Sequence, residues 1–282
     1  MARRGDGGTD LVLRPIGVVR SPVGRGQAMP ANGVPAAVEV FPAYQPGLAH
    51  VEENTHLIVL TWFDGAQRDV LQASGRRPRP DGSLRGVFGL RSPDRPNPIG
   101  LHVARLVRRE GGMCLLDRLD AYDGTPVVDI KRYSPSWDCV FAARSARDRR
   151  VGIDRLEERR ADLLLAGERF HGEACAGVAV AARMVLHVER RWQVAPKDTS
   201  LRVAVGDDGC VADAVQAMTA ATLGSGRLRV QLGPTVRWYY GDRVLVFRLR
   251  DSYPRRLEEA LDAPEERLFR VEVAPVEEPP PT

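Results

Sequence analysis

The sequence predicts two domains of different architecture: a mainly β domain closed as a small barrel, followed by an α+β domain. Three observations carry this expectation. The 282 residues exceed one typical domain and suffice for two hydrophobic cores. The first half is a succession of short apolar, β-branched runs broken by Gly, Pro and Asp, with no amphipathic helix of length between them. After about residue 145 the apolar spacing becomes helical. The expected division is 1–148, 149–275 and a Pro-rich acidic tail over 276–282, whose composition is that of a disordered segment.

In chain order, LVLRPIGVV from Leu11 to Val19 reads as a strand that Pro15 places at an edge or bends. AVEVF from Ala37 to Phe41 and HLIVLTWF from His56 to Phe63 are further strands. VARLVRR, joined through Gly111 and Gly112 to MCLLDRL, has the spacing of a hairpin, and PVVDIKRY follows the Asp123-Gly124 turn. In the second half, SARDRRVGIDRLEERR is a charged, helix-permissive bridge, and Cys175 to Trp192 carries apolar residues at helical spacing. A strand over Leu201–Val205, a helix over Val211–Thr222, two or three strands between Arg227 and Leu249 and a helix over Arg255–Leu261 complete the α+β module.

Composition narrows the setting. No apolar run approaches the roughly 20 residues that span a bilayer, and the first ten residues lack the apolar stretch of a signal peptide, so the expectation is a cytoplasmic protein without a membrane partner. Four scattered cysteines, none in a CxxC pair, are too few for a disulfide framework. The net charge of +4 is unevenly placed: residues 1–150 hold 22 Lys/Arg against 16 Asp/Glu, and the remainder 19 against 21. A basic first half suits a polyanion such as RNA and also suits ordinary solvated surface.

Two stretches of the first half carry chemistry. In RGVFGLRSPDRPNPIGLHVARL, Pro93, Pro96 and Pro98 stiffen a loop from which Arg91, Arg95 and Asn97 would project donors toward a carboxylate, ribose or phosphate, while Gly100 lets backbone approach a ligand. A structural Pro-rich turn with solvated arginines is the alternative. In LDAYDGTPVVDIKRYSPSWD, Asp123, Gly124 and Thr125 form a tight turn ahead of a strand whose period of two puts Asp129, Lys131 and Tyr133 on one face. That face suits holding a sulfonium, orienting a nucleophile or accepting its proton, and equally a solvated ion pair.

IGVVRSP, EVFPAYQPGL, THLIVLTWF, GVFGLRSPDRPNPIGL and DAYDGTPVVDIKRY, in that order over about residues 11–140, resemble the TsaA-like or TrmO family of S-adenosylmethionine-dependent methyltransferases. The resemblance implies a small β-barrel, a cofactor seated against the Pro-rich loop, a homodimer, and N6-methylation of a threonylcarbamoyl-modified adenosine beside the tRNA anticodon. It makes Arg91, Ser92, Pro93, Arg95, Asn97, Ile99, Gly100 and Leu101 cofactor-loop residues. Asp123, Gly124, Thr125, Asp129, Lys131 and Tyr133 complete the cofactor and catalytic wall, with His56 from the strand motif; catalysis falls to Asp129, Lys131 and Tyr133. The chain departs from the family where Ser generally follows PIGL and His102 stands here, and in VGRGQAMPANGVPA after the first SP. The second departure leaves open a small-molecule acceptor, held partly by the second domain, or a non-catalytic cofactor or metal sensor.

ERFHGEACAGVAVAARM, VAVGDDGCVADAVQAMTAATLGSGRLRV and the WYYGDRVLVFRLR strand pair, over about residues 165–250, resemble the FmdE-like family, which takes its name from formylmethanofuran dehydrogenase. That resemblance implies a metal site from His171, Cys175 and Cys210, zinc being the ion that thiolate and imidazole suit. Glu173, Asp207, Asp208 and Asp213 are nearby carboxylates. Glu173 and Ala176 stand where the family has the second His of FHGH and the Pro of CPG, and Ala221 where it has a Cys.

Overall fold

A computed structural model describes residues 12–30, 32–75, 78–79, 81–145, 148, 151 and 156–275. The acidic tail, Leu11 and much of the charged bridge lie outside the described residues. The chain divides into two compact units between Cys139 and Val140.

The first unit is a closed six-stranded barrel with two additional short strands. In chain order the strands are β1 (Gly17–Arg20), β2 (Val34–Val40), β3 (His56–Trp62), β4 (Gln72–Ala73), β5 (Arg85–Gly86), β6 (Ile99–Glu110), β7 (Met113–Leu119) and β8 (Pro126–Arg132). Around the barrel the order is β1-β2-β7-β6-β3-β8, every neighbour antiparallel, and closure leaves no open edge within it. The apolar alternation of the sequence becomes inside and outside. Leu57, Val59 and Thr61 point inward from β3, and Gly100, His102, Ala104 and Leu106 from β6. They meet Val19, Val38, Leu116 and Val127 in one core.

The predicted strands stand where the apolar runs placed them, with three differences, the first being that β2 begins at Val34, three residues before the AVEVF run, and ends at Val40. Pro15 leaves the first run irregular, so β1 starts only at Gly17. The Arg91–Leu101 loop ends earlier than its prolines suggest, because Ile99 already pairs with Trp62 and extends the hairpin strand toward the loop. A short helix α1 (Pro135–Asp138) follows β8.

Antiparallel pairing gathers the ends of β1, β3 and β7 with the starts of β2, β6 and β8 at one rim. Three connections emerge there: residues 21–33, 63–98 and 120–125. Contacts interlock them. Arg25 pairs with Asp64 at 2.5 Å, the Tyr122 hydroxyl donates to the Gln27 carbonyl at 3.2 Å, and the Gln67 N–H donates to Asp94 at 2.9 Å.

The second unit packs α2 (Leu156–His171), α3 (Ala176–Trp192) and α4 (Gly209–Thr219) together, and joins them in one core with a five-stranded sheet. The sheet holds β9 (Arg202–Val205), β10 (Leu228–Val230), β11 (Thr235–Tyr240), β12 (Arg243–Leu249) and β13 (Phe269–Ala274) in the order β10-β9-β11-β12-β13, with α5 (Leu257–Asp262) and α6 (Glu265–Leu268) between the last two strands. Helix α3 is buried on most sides along its apolar length and becomes exposed at Arg190 and Arg191 in its last turn. The end of the charged bridge is the start of α2, which continues well beyond it to His171.

Inside this unit Arg159 on α2 forks onto Glu189 on α3, with both nitrogen-to-oxygen distances 2.9 Å; the residues are 8% and 1% exposed. Removing one partner strands a buried charge, so Glu189→Ala is expected to cost about 3–5 kcal/mol of stability. Denaturant unfolding checks this, and an Arg159→Leu/Glu189→Leu pair should recover much of the loss.

Candidate functional site

The rigidity of the Arg91–Leu101 loop comes from Arg95 as well as from its prolines. The Arg95 guanidinium donates to the carbonyls of Ser92 at 2.8 Å and Val87 at 2.7 Å, and to that of Leu90. It therefore braces its own loop instead of projecting outward, which corrects the expectation for this residue; Arg91 and Asn97 do stand exposed. From outside, Arg68 donates to the Pro96 carbonyl at 2.9 Å while lying over the Trp62 ring at 5.5 Å, and the Phe63 N–H donates to the Pro98 carbonyl at 2.9 Å. Ser92 is half-buried and Pro93 exposed.

Beside this loop the outer face of β6, β3 and β8 collects six of the predicted site residues. Register puts Leu101, Leu60 and Asp129 in one row, and Val103, Ile58 and Lys131 in the next. Ile99 pairs with Trp62 at the loop end. At the far end the Tyr133 N–H donates to the His56 carbonyl at 3.1 Å, and the two rings lie 6.2 Å apart. A bulge at Val128 sets this arrangement: Leu60 faces Asp129 but Thr61 faces Val127, so Val127 and Ile130 fill the interior while Asp129 and Lys131 turn outward. Lys131 Nζ lies 2.6 Å from Asp129 Oδ2, and Asp129 Oδ1 accepts the Ile130 N–H at 2.9 Å. Ile99 and Leu101 are 41% and 46% exposed. An open apolar strip, a carboxylate at its side and donors at Arg91 and Asn97 suit a ligand that combines a flat ring, a cation and a carboxylate.

The Asp123–Thr125 turn sits on the same rim but ties the barrel shut. Asp123 Oδ1 accepts the Ser21 N–H at 3.1 Å, Gly124 donates to the Val19 carbonyl at 2.9 Å, and the Thr125 hydroxyl donates to the Tyr122 carbonyl at 2.8 Å. The turn thus fixes the start of β8, which carries Asp129, against the end of β1.

Under the loop runs a polar chain that is buried at Thr61 and His102 and open to solvent at Asp120. Thr61 Oγ1 lies 2.9 Å from His102 Nε2, and His102 Nδ1 lies 2.5 Å from Asp120 Oδ1. Burial works to raise Asp120, but the hydrogen bond and charge of His102, with Arg91 adding to them, hold its carboxyl below the ordinary range. Such a group stabilises the fold above the unfolded carboxyl range near pH 3.9 and loses that contribution as pH falls through its lower folded value. Because solvent screens a side chain that is 59% exposed, Asp120→Asn should flatten the acid limb of the stability curve only slightly, as pH-dependent thermal unfolding will show. Gly100 lies over the chain. A Cβ there would come within 2.3 Å of Thr61 Oγ1, 2.6 Å of Phe63 and 2.8 Å of His102 Nε2, so the absence of a side chain serves the interior.

In the second unit His171, Cys175 and Cys210 converge, with their donor atoms within 4.8 Å of one another. His171 ends α2, Cys175 is the N-cap residue of α3, and Cys210 lies in the first turn of α4. Gly177 permits the approach, since a Cβ there would lie 2.4 Å from the Cys210 Cβ. Asp213 Oδ2 sits 3.0 Å from His171 Nδ1, which fixes the ring and leaves Nε2 as the nitrogen that could bind an ion. Asp208 is already committed: Oδ1 accepts the Val211 N–H at 3.1 Å and Oδ2 the Tyr253 hydroxyl at 2.6 Å. Burial, reinforced by Cys175, pushes the Cys210 thiol up to about 11. Two thiols and an imidazole oriented by a carboxylate are a donor set that fits zinc.

Comparison with known proteins agrees with this division. Residues 18–139 match the family model described as the tRNA-methyltransferase O N-terminal domain. An S-adenosyl-L-methionine-binding protein of Archaeoglobus fulgidus is 43% identical over 134 residues, which cover 46% of this chain and 94% of the relative. The chain belongs to the tRNA-methyltransferase O family. A second Archaeoglobus fulgidus protein, named "Probable S-adenosyl-L-methionine-binding protein", is 38% identical over 228 residues, or 77% of this chain and 60% of that protein. The tRNA (adenine(37)-N6)-methyltransferase of Mus musculus is 40% identical over 99 residues, 35% of this chain and 23% of the mouse protein. The crystal structure of TrmO from Pseudomonas aeruginosa shares a TM-score of 0.40 and 20% identity, covering 94% of this chain and 99% of that one. Residues 170–270 match the model described as FmdE, molybdenum formylmethanofuran dehydrogenase operon.

Within this tRNA-methyltransferase O family member, sequence reading passed over Thr61 and Asp120. Thr61 carried a signal, being a hydroxyl on the inward face of a strand that is otherwise Leu and Val there. Among the described residues no helix is long and apolar enough to cross a membrane.

Proposed function

We propose that the barrel unit binds S-adenosylmethionine along the strip between the Arg91–Leu101 loop and Asp129, and methylates N6 of an adenosine in tRNA. The threonylcarbamoyl-modified adenosine beside the anticodon is the acceptor in this reading. One observation carries it: the bulge in β8 brings Asp129 and Lys131 onto the face that Ile99 and Leu101 open beside the loop. The names of the relatives point the same way. The bound cofactor supplies an electrophilic methyl on a sulfonium. Alignment and exclusion of water then do most of the catalysis. The rigid loop aligns, Asp129 accepts the proton that N6 gives up, and Lys131 steadies negative charge on the carboxylate or the acceptor. Tyr133 with His56 bounds the far end of the strip.

Nucleoside mass spectrometry of tRNA from cells with and without the gene tests the acceptor: the methylated, threonylcarbamoyl-bearing nucleoside disappears if the reading holds and persists if it does not. An RNA acceptor also requires binding to weaken steeply between low and physiological salt. Unchanged affinity favours the small-molecule acceptor. A homodimer belongs to this reading, because Leu71, Leu84 and Phe88 stand 62%, 54% and 83% exposed on the rim connection. Sedimentation equilibrium should give the mass of two chains.

The second unit has its own reading, a zinc centre held by His171 Nε2, Cys175 and Cys210 with Asp213 orienting the imidazole. The convergence of the three donors supports it, and the commitment of Asp208 leaves Glu173, Asp207 or a water for the fourth position.

A further inference from the structure

The Thr61–His102–Asp120 chain has no part in the proton transfer assigned above, and its middle member stands where the family resemblance puts Ser. One of its hydrogen bonds has a fixed direction. A carboxylate only accepts, so Nδ1 of His102 carries a proton toward Asp120, and Nε2 shares a hydrogen bond with the Thr61 hydroxyl. Thr61 is fully buried, which removes its hydroxyl from the reach of any substrate.

The chain touches the cofactor loop where Gly100 passes over it. At the C-terminal end Gly100 rests on Thr61 and His102, while Phe63 meets the His102 ring edge-on at 6.2 Å and donates its N–H to Pro98. We propose that His102 is a positioning residue for S-adenosylmethionine: Asp120 orients the ring, and the imidazole supports the backbone at Gly100 and the Phe63 ring that ties down Pro98, so the loop keeps its binding shape. This rests on the cofactor reading of the loop, and it assigns to His102 and Asp120 a part in cofactor affinity that acts through the loop.

Calorimetric titration of S-adenosylhomocysteine into full-length wild-type, His102→Leu, His102→Asn, Asp120→Asn and the His102→Leu/Asp120→Asn double variant tests this. His102→Leu keeps the volume and removes the donor, so it and Asp120→Asn should each weaken binding by about tenfold or more, the size expected for a hydrogen bond to a charged group. The double variant should be no weaker than the worse single one, because both remove one interaction. His102→Asn retains an N–H toward Asp120 and should stay within about threefold of wild type. Lower melting temperatures with dissociation constants unchanged in His102→Leu and Asp120→Asn would overturn the proposal by showing a purely structural role. Asp120→Asn changes a side chain at the rim and keeps the test open should His102→Leu not fold. Wild-type protein that binds no S-adenosylhomocysteine overturns the cofactor reading itself, a result distinct from wild-type binding with indifferent variants.

Discussion

Asp129→Asn is expected to lower methyl transfer to tRNA by about 100-fold or more, the usual scale for losing a positioned proton acceptor, while cofactor binding changes little. Asparagine keeps the shape and the outward direction that the β8 bulge imposes, yet it cannot take a proton. It also releases Lys131, which now sits 2.6 Å from the carboxylate. That release should be harmless, since a half-exposed ion pair contributes little to stability. Single-turnover assays with labelled S-adenosylmethionine and unmethylated tRNA separate the effects: the rate at saturation falls and the melting temperature holds. Lys131→Ala should show a smaller loss. A wild-type rate in Asp129→Asn would move proton acceptance elsewhere, with the Tyr133 hydroxyl the next group on the same face.

Cys175→Ser and Cys210→Ser are expected to reduce bound zinc from near one equivalent to less than about a tenth, because each removes one of three protein donors. Asp213→Ala should leave the donors intact and weaken affinity by about 10- to 100-fold, the scale for losing the group that orients a ligating imidazole. The pH dependence has a definite sign. Burial and Cys175 hold the Cys210 thiol up at about 11, so an ion must displace its proton to bind, and affinity falls as pH is lowered. Elemental analysis of protein purified without a histidine tag reads the content. Unchanged metal in both cysteine variants, or none in wild type, would make these thiols small buried hydrophobes at a helix junction.

The barrel was legible because its signals are local. β-branched runs with period two, the Gly111-Gly112 hairpin and the Asp123-Gly124 turn each specify their element without reference to the rest of the chain. The His171-to-Cys175 spacing likewise sits at a helix junction that the sequence marks. Side-chain direction in the Pro-rich loop was not legible. Whether Arg95 points out or back depends on the Val87 and Leu90 carbonyls, which a short helical turn over Val87–Gly89 presents to it. Strand β13 escaped because FRVEVA follows charged helices and precedes an acidic tail, and it becomes a strand only by pairing with β12. The roles of Asp120 and Asp213 depend on partners 18 and 42 residues away, beyond any local pattern.

The most direct measurement is calorimetric titration of the purified chain with S-adenosylmethionine and its demethylated product. The account predicts one site per chain with a dissociation constant tighter than about 1 mM, weakened by Asn97→Ala with the fold intact. Absence of binding by either compound at that concentration would contradict it.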